Sequence, residues 1–441
     1  MQKNAVITWS LVVALGGFLF GFDTAVISGA ERAIQQYWSL SVFEHGFTVS
    51  IALIGTVLGA LLGALPSDKI GRKKTLFLVA AFYLFSSLGT ALATDWYVFL
   101  IFRFIGGLGV GVSSVTAPIY ISEISPPHSR GRLVALFQFN IVLGILVSYL
   151  SNYLLGQTGE ASWRWMLGVQ AAPSLLFFIL LFVVPESPRW LIQAKGKEDE
   201  AMKVLKKINP ITYRKDFDNI KSGSSGNNKS AEKLFSPKYK KPVMLAVLFA
   251  IFNQVSGINA IIYYAPRIFE MAGLGAHTSL LSTVGIGAVN FTFTLLAIGF
   301  IDKFGRKTLM LVGTMGLIVS LALVAMTFYS GDFSGLSITI YLMVYIAFFA
   351  FSQGAVIWVF ISEIFPNEVR AKGQTLGSFT HWIFAAVIAF TFPYLAETLG
   401  GGTTFLFFSV MMVLQLVFVW KLMPETKGKS LEQIEKTMVM H

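Results

Sequence analysis

Twelve runs of about 20 mainly apolar residues can be drawn along this chain of 441 residues. They start near Thr8, Phe47, Thr75, Tyr97, Leu133 and Trp163, then Val243, Ser279, Leu309, Ser337, Thr375 and Thr404. A segment of that length in lipid must satisfy its backbone N–H and C=O groups internally, which a helix does within its own turns. Composition agrees. Charged residues make up 13% of the chain, against about 25% in soluble domains. The expectation is an all-α membrane protein with twelve transmembrane helices. Cysteine is absent, which excludes disulfides and thiolate metal sites. His45, His128, His277, His381 and His441 are scattered without ligand spacing, so no metal and no cofactor is expected. The first apolar run lacks an A-x-A cleavage site and leads into further spans, unlike a signal peptide.

The formal net charge is +11, and its distribution explains it. Basic residues fall in Lys69–Lys74, Arg130–Arg132, Arg189–Lys241, Lys303–Lys307, Arg370–Lys372 and the two termini. Only Arg32, Arg103, Arg164 and Arg267 lie elsewhere. Cationic loops alternating along a membrane protein mark the cytoplasmic side. Both termini and the large central loop are therefore expected inside a multi-pass cell membrane, and no nucleic-acid partner is implied.

That central loop, residues 185–241, separates two halves of six spans, 1–184 and 242–423, and residues 424–441 form a tail. Glu198 to Asn209 reads as a short amphipathic helix, and Ser222 to Asn228 as a flexible linker. The halves repeat. Asp68-Lys-Ile-Gly-Arg-Lys73 returns as Asp302-Lys-Phe-Gly-Arg-Lys307, and Ile121-Ser-Glu-Ile-Ser-Pro126 as Ile361-Ser-Glu-Ile-Phe-Pro366. Arg130 returns as Arg370, and Pro185-Glu186 as Pro424-Glu425, all at nearly one offset. Parallel six-span repeats with a site between the halves mark an alternating-access carrier. The many glycines, among them Gly55, Gly59, Gly63, Gly107 and Gly111, fit close helix packing in lipid.

Asp23 is the only carboxylate in the run from Thr8 to Ser28. A charge at that depth costs roughly 2.5–3.5 kcal/mol on insertion scales, so it needs a partner or a proton. Arg103, the one cation within the fourth run, is the candidate partner. A carboxylate that can exchange a proton for an arginine contact suits proton-driven transport; a permanent structural pair in a passive carrier is the alternative.

Five motifs together resemble the sugar porter family of the major facilitator superfamily, nearly end to end. They are Gly21-Phe-Asp-Thr-Ala-Val-Ile-Ser-Gly29, the two Asp-x-x-Gly-Arg-Lys loops, Pro185-Glu-Ser-Pro-Arg-Trp190, Gln254-Val-Ser-Gly-Ile-Asn259 and Pro424-Glu-Thr-Lys-Gly428. The resemblance implies two pseudo-symmetric six-helix bundles with short cytoplasmic helices, and proton coupling through Asp23 and Arg103. It implies a cytoplasmic gate of Asp68, Arg72, Glu123, Arg130, Glu186, Arg189, Asp302, Arg306, Glu363, Arg370 and Glu425. It further implies a sugar site drawn from Phe20, Gln138, Gln254, Asn259, Tyr263, Tyr264, Asn290, Trp358, His381 and Trp382. Amides that both donate and accept, beside flat aromatic faces, suit a polyhydroxyl ligand.

This chain departs from the family pattern at four places: Asn253 before Gln254, Ile145 where a second glutamine is usual, no proline ahead of Trp358, and His381 before Trp382. These departures imply altered sugar selectivity and an altered bend near Trp358. The expected function is import of a monosaccharide, hexose before pentose, with a proton. The partners are then the sugar, the proton and the lipid bilayer, and the working unit a monomer. An enzyme is disfavoured because no nucleophile–base set or metal ligands are present. A passive uniporter, and a sugar receptor on a carrier scaffold, remain the alternatives; the short tail after the last span argues against the receptor.

Overall fold

The computed structural model describes residues 3–126, 129–159, 161–224, 233–331, 333, 336–366, 369–428 and 434. Among these residues the secondary structure is helical throughout, with no strand. Twelve helices are long and apolar enough to cross a membrane: Ala5–Tyr37, Val42–Leu62, Arg72–Leu92, Trp96–Ile124, Arg132–Leu155, Ser162–Val183, Pro237–Met271, Ala276–Ala297, Arg306–Ser330, Ser337–Ile364, Arg370–Thr398 and Gly400–Lys421. They are called here the first to twelfth spans. Most begin a few residues before the apolar run that marks them. The third starts at Arg72 and the ninth at Arg306, because polar first turns are capped by residues from elsewhere. Leu92, Phe85, Ile101, Trp165 and Phe182 are exposed, a girdle of apolar side chains that fits lipid and not water.

The chain divides into two compact units. The first is Met1–Val26, Ile51–Ser148 and Arg164–Ser230; the second is Ile27–Ser50, Tyr149–Trp163 and Ala231–His441. In the first unit, the second and fourth spans meet backbone to backbone. A Cβ on Gly107 would stand 1.9 Å from the Ala52 carbonyl oxygen, so only glycine permits this approach. The same unit holds three short helices after the sixth span, Pro188–Lys195, Glu198–Ile208 and Tyr213–Ser224. Trp190, Leu191, Ala201, Leu205 and Phe217 form their shared core. Glu198–Ile208 carries Glu198, Asp199 and Glu200 in its first turn and Lys206 and Lys207 in its last, which complements the helix dipole at both ends. The flexible linker expected at 222–228 lies, from residue 225 on, outside the described residues, as do His128 and His441.

In the second unit, Phe249, Phe360, Ile364, Phe365 and Phe418 build the core between the seventh, tenth and twelfth spans. Two of these spans are interrupted. The seventh breaks at Gly257, which adopts a left-handed conformation between helices Lys240–Val255 and Ile258–Met271. Tyr345 closes the break by donating its hydroxyl to the Ser256 carbonyl at 3.0 Å. The tenth passes through a π-helical turn at Ala350–Gly354, a device common at functional sites. It falls one turn ahead of Trp358, where the missing proline implies an altered bend.

Candidate functional site

The repeated Gly-Arg-Lys corners are built alike. In the first unit Gly71 takes φ 101°, and a Cβ there would lie 2.3 Å from Glu186 Oε2. Glycine therefore admits the Glu186 carboxylate to the start of the third span, where free N–H groups favour an anion. Glu186 accepts from the backbone N–H of Arg72 at 3.0 Å, of Lys73 at 3.1 Å and of Ser187 at 2.8 Å. The Arg72 side chain turns to the fourth span, where Nε and Nη2 each donate to one oxygen of Glu123 at 3.1 Å. Its Nη1 donates to Asp68 Oδ1 and to the Ser67 carbonyl, both at 3.0 Å. Ser187 donates its hydroxyl to Glu123 at 2.5 Å.

The second unit repeats the pattern. Gly305 has φ 90°, and Glu425 accepts from the N–H groups of Arg306 and Lys307 at 3.0 Å and of Thr426 and Lys427 at 2.9 Å. Arg306 Nη2 donates to Glu363 at 2.8 Å, and the Thr426 hydroxyl donates to the other Glu363 oxygen at 2.6 Å. The Asp302 side chain lies outside the described residues. The two capping carboxyls differ. Burial pushes Glu186 above its ordinary 4.5, against the pull of its three backbone donors. Burial also pushes Glu425 upward, but four backbone donors, the added one from Lys427, bring it below 4.5. Of the remaining expected gate cations, Arg370 donates to the Phe365 carbonyl at 3.1 Å, Arg189 is exposed and Arg130 half-buried.

Deeper in the first unit, Arg103 Nη1 donates to Asp23 Oδ1 at 3.1 Å. Asp23 is 2% exposed and Arg103 1%. The contact is single: Arg103 Nε and Nη2 are buried and have no hydrogen-bond partner among the described residues. The lone carboxylate of the first apolar run and the lone cation of the fourth are thus brought together. Phe20, buried, and Gln138, half-buried, also belong to this unit.

The second unit gathers amides around a histidine just before the break in the seventh span. Asn259 Nδ2 donates to Gln254 Oε1 at 2.7 Å, and Gln254 Nε2 donates to Asn253 Oδ1 at 3.0 Å. Gln254 Nε2 also lies 3.2 Å from both ring nitrogens of His381. An atom equidistant from both nitrogens in the ring plane would run into Cε1, so the amide rests over the ring face. Trp358 and Trp382 each bring a ring centroid to 4.9 Å from His381. Trp358 is 37% exposed, which leaves an aromatic face accessible beside the amides. Asn253 enters this network although only Gln254 and Asn259 stand out in the sequence.

Other expected positions sit apart from the amides. Asn290 accepts from Thr294 at 3.5 Å, one turn along its own helix. Tyr264 donates its hydroxyl to the Ala389 carbonyl at 2.8 Å and packs on Phe392 with centroids 5.1 Å apart. Tyr263 is buried. The Ser187 and Thr426 hydroxyls have no distinctive sequence signal; the serine and threonine differ, and only their shared place after Pro-Glu links them.

The family described as Sugar (and other) transporter matches residues 9–438. The arabinose-proton symporter of Bacillus subtilis (strain 168) is 39% identical over 442 residues, covering 98% of this chain and 95% of that protein. The glucose transporter GlcP of Staphylococcus epidermidis (strain ATCC 12228 / FDA PCI 1200) is 37% identical over 442 residues, covering 99% of this chain and 97% of that protein. Among solved structures, the xylose transporter XylE from E. coli in an inward open conformation aligns with a TM-score of 0.88 at 35% identity, over 98% of this chain and 100% of that one. These are transporters and not enzymes. The repeated corners, the twelve spans and a match over nearly the whole length lead to one assignment: the chain belongs to the sugar (and other) transporter family and has the fold of the major facilitator superfamily.

Proposed function

We propose that this chain imports a monosaccharide together with a proton across the cell membrane by alternating access, working as a monomer with both termini in the cytoplasm. The observation that carries the coupling is the buried, singly bonded Asp23–Arg103 pair. An ionised Asp23 is held by Arg103; protonation neutralises the carboxyl and releases the guanidinium. Only one hydrogen bond has to break for that exchange, and Arg103, left as a buried charge whose lack of a partner costs several kcal/mol, is driven to take up new partners in another conformation. Proton and sugar are then linked through a conformational equilibrium, and the linkage is reciprocal. The orientation rests on the positive-inside distribution.

Sugar binding falls to Gln254, Asn259 and His381, flanked by Trp358 and Trp382, with Asn290, Tyr263 and Tyr264, which sit apart from the amides in the same unit, included on the family resemblance. Phe20 and Gln138 are included on the family resemblance. The corner sets around Arg72 and Arg306 are proposed as the cytoplasmic gate, with Arg130, Arg189, Asp302 and Arg370. The halves 1–184 and 242–423, joined by 185–241, serve as its two moving bundles. Relatives named for arabinose and for glucose have similar identities, 39% and 37%, so overall similarity lends no support to hexose over pentose. We therefore propose the monosaccharide class.

Uptake of labelled arabinose, xylose and glucose into proteoliposomes under an imposed pH gradient tests this reading. Saturable uptake of at least one sugar, abolished by a protonophore, is expected; saturable uptake unaffected by the protonophore would instead establish the uniporter. Gln254→Ala should raise the half-saturating concentration about five- to 150-fold, the range of one lost buried hydrogen bond at about 1–3 kcal/mol.

A further inference from the structure

The second unit contains a buried charged set that the transport reading leaves unused. Glu31, on the first span, is 1% exposed, and His45, on the second, is 0% exposed. His45 Nε2 stands 2.6 Å from Glu31 Oε2. Arg267, on the seventh span, donates from Nε to Glu31 Oε1 at 3.1 Å and has Nη2 3.0 Å from Glu31 Oε2. Arg267 Nη2 also donates to Gln35 Oε1.

The other charged and titratable groups nearby are accounted for. Arg32 of the first span is ion-paired with Glu270 of the seventh. Glu397 of the eleventh span lies 3.7 Å from Arg267 Nη1 and is half exposed. Glu44, beside His45 in the chain, is turned to Ser41 at the surface. Tyr264 meets His45 edge-on at a centroid distance of 5.9 Å.

A nitrogen and an oxygen 2.6 Å apart need a hydrogen between them. It can come from a neutral imidazole N–H, from an imidazolium or from a protonated Glu31. These states hold Arg267 differently. With neutral His45, Glu31 serves Arg267 as its full carboxylate. With imidazolium, one Glu31 oxygen is shared between two cations. With protonated Glu31, Arg267 loses its buried counter-charge. Proton binding here and the grip on Arg267 are therefore linked quantities.

Arg267 lies on the helix Ile258–Met271, which begins at the Gly257 break and also carries Asn259 of the amide network. Asn259 and Arg267 stand eight positions apart on this segment, on either side of a kink at Tyr264 (φ −128°, ψ 18°). We infer that Glu31, His45 and Arg267 form a second proton-binding site, separate from Asp23, whose occupancy sets how firmly the helix Ile258–Met271 is tied to the first and second spans. The site stands on this geometry; its effect on transport rests on the symport reading.

The test uses the purified full chain labelled with 15N-histidine, five residues in all, with His45→Gln assigning the His45 signals. If that variant does not fold, single replacement of His128, His277, His381 and His441 assigns them by elimination. The His45 ring signals should change with pH in the wild type. In Glu31→Gln the pH response of these signals should differ from that of the wild type, because the carboxylate facing the ring is gone. Signals that stay constant through the pH range, or that titrate identically in both proteins, would overturn the inference. A second arm measures sugar uptake against pH, where His45→Gln should change the profile by at least twofold at one end while keeping accumulation. A titrating His45 in a protein that moves no sugar would sink the symport reading and leave the proton site standing. Normal uptake with an invariant His45 would do the reverse.

Discussion

Two arginines of the first unit, Arg72 partly buried and Arg103 fully buried, meet their carboxylates in opposite ways. Arg72 engages both oxygens of Glu123 through a bidentate fork, and its remaining Nη1 is taken by Asp68 and Ser67. Arg103 is more deeply buried yet reaches Asp23 through one hydrogen bond. Planar two-point pairing is the geometry in which arginine is strongest and most specific. A side chain so engaged holds its place. One that touches its partner once can change partners at little enthalpic loss. The first arrangement suits a gate corner that moves as one piece, and the second a switch.

The contrast can be broken at Arg72 first. Glu123→Gln removes the charged partner of the Arg72 fork and leaves Asp68 and the Ser67 carbonyl to hold the guanidinium, so the loss is about 3 kcal/mol for two charge-assisted hydrogen bonds. Thermal unfolding in detergent should register this as a large fall in Tm; an unchanged Tm would show that the fork contributes nothing to stability. The next largest effect separates the two arginines directly. Arg72→Lys forfeits the fork and should cost about 1–3 kcal/mol. Arg103→Lys retains the means for a single contact and should shift Tm by less than Arg72→Lys in parallel melts. Equal shifts would remove the distinction.

A smaller effect separates the corners themselves. Glu186 is raised by burial, so the folded chain holds that proton more tightly than the unfolded chain does. Its contribution is fullest below 4.5 and is lost as pH climbs through the raised value. Glu425 is lowered, so its contribution is present above 4.5 and is lost as pH falls through the lowered value. Melting curves across pH should show Glu186→Gln flattening the decline on the alkaline side and Glu425→Gln flattening it on the acid side. The same flattening in both variants would mean that the Lys427 N–H does not distinguish the corners.

Much of this was legible in the sequence because lipid makes charge conspicuous. Asp23 and Arg103 stand out as single charges in apolar runs, and the structure pairs them. The repeated Asp-x-x-Gly-Arg-Lys loops mark the corners, and the Gln254 and Asn259 amides fall in one motif. What stayed hidden depends on approach between distant segments. That Glu186 caps the backbone of Arg72 and Lys73 follows from Gly71 admitting it, which spacing alone does not show. Asn253 read as a departure, and only the fold places it in the amide network. Glu31 sits just past the end of the first apolar run, where a carboxylate draws no notice. His45 and Arg267 reach it from the second and seventh spans, and no motif announces the meeting. The π-helical turn at Ala350–Gly354 likewise has no residue signature beyond a missing proline.

The central claim, that Asp23 is a proton switch and not a fixed strut, is tested most directly by Asp23→Asn in proteoliposomes under an inward proton gradient, assayed for net accumulation and for sugar counterflow. The account predicts that accumulation falls at least about tenfold, the effect of 1.4 kcal/mol of lost coupling, while counterflow persists. Accumulation at the wild-type level in Asp23→Asn would contradict it and move the coupling proton to another site.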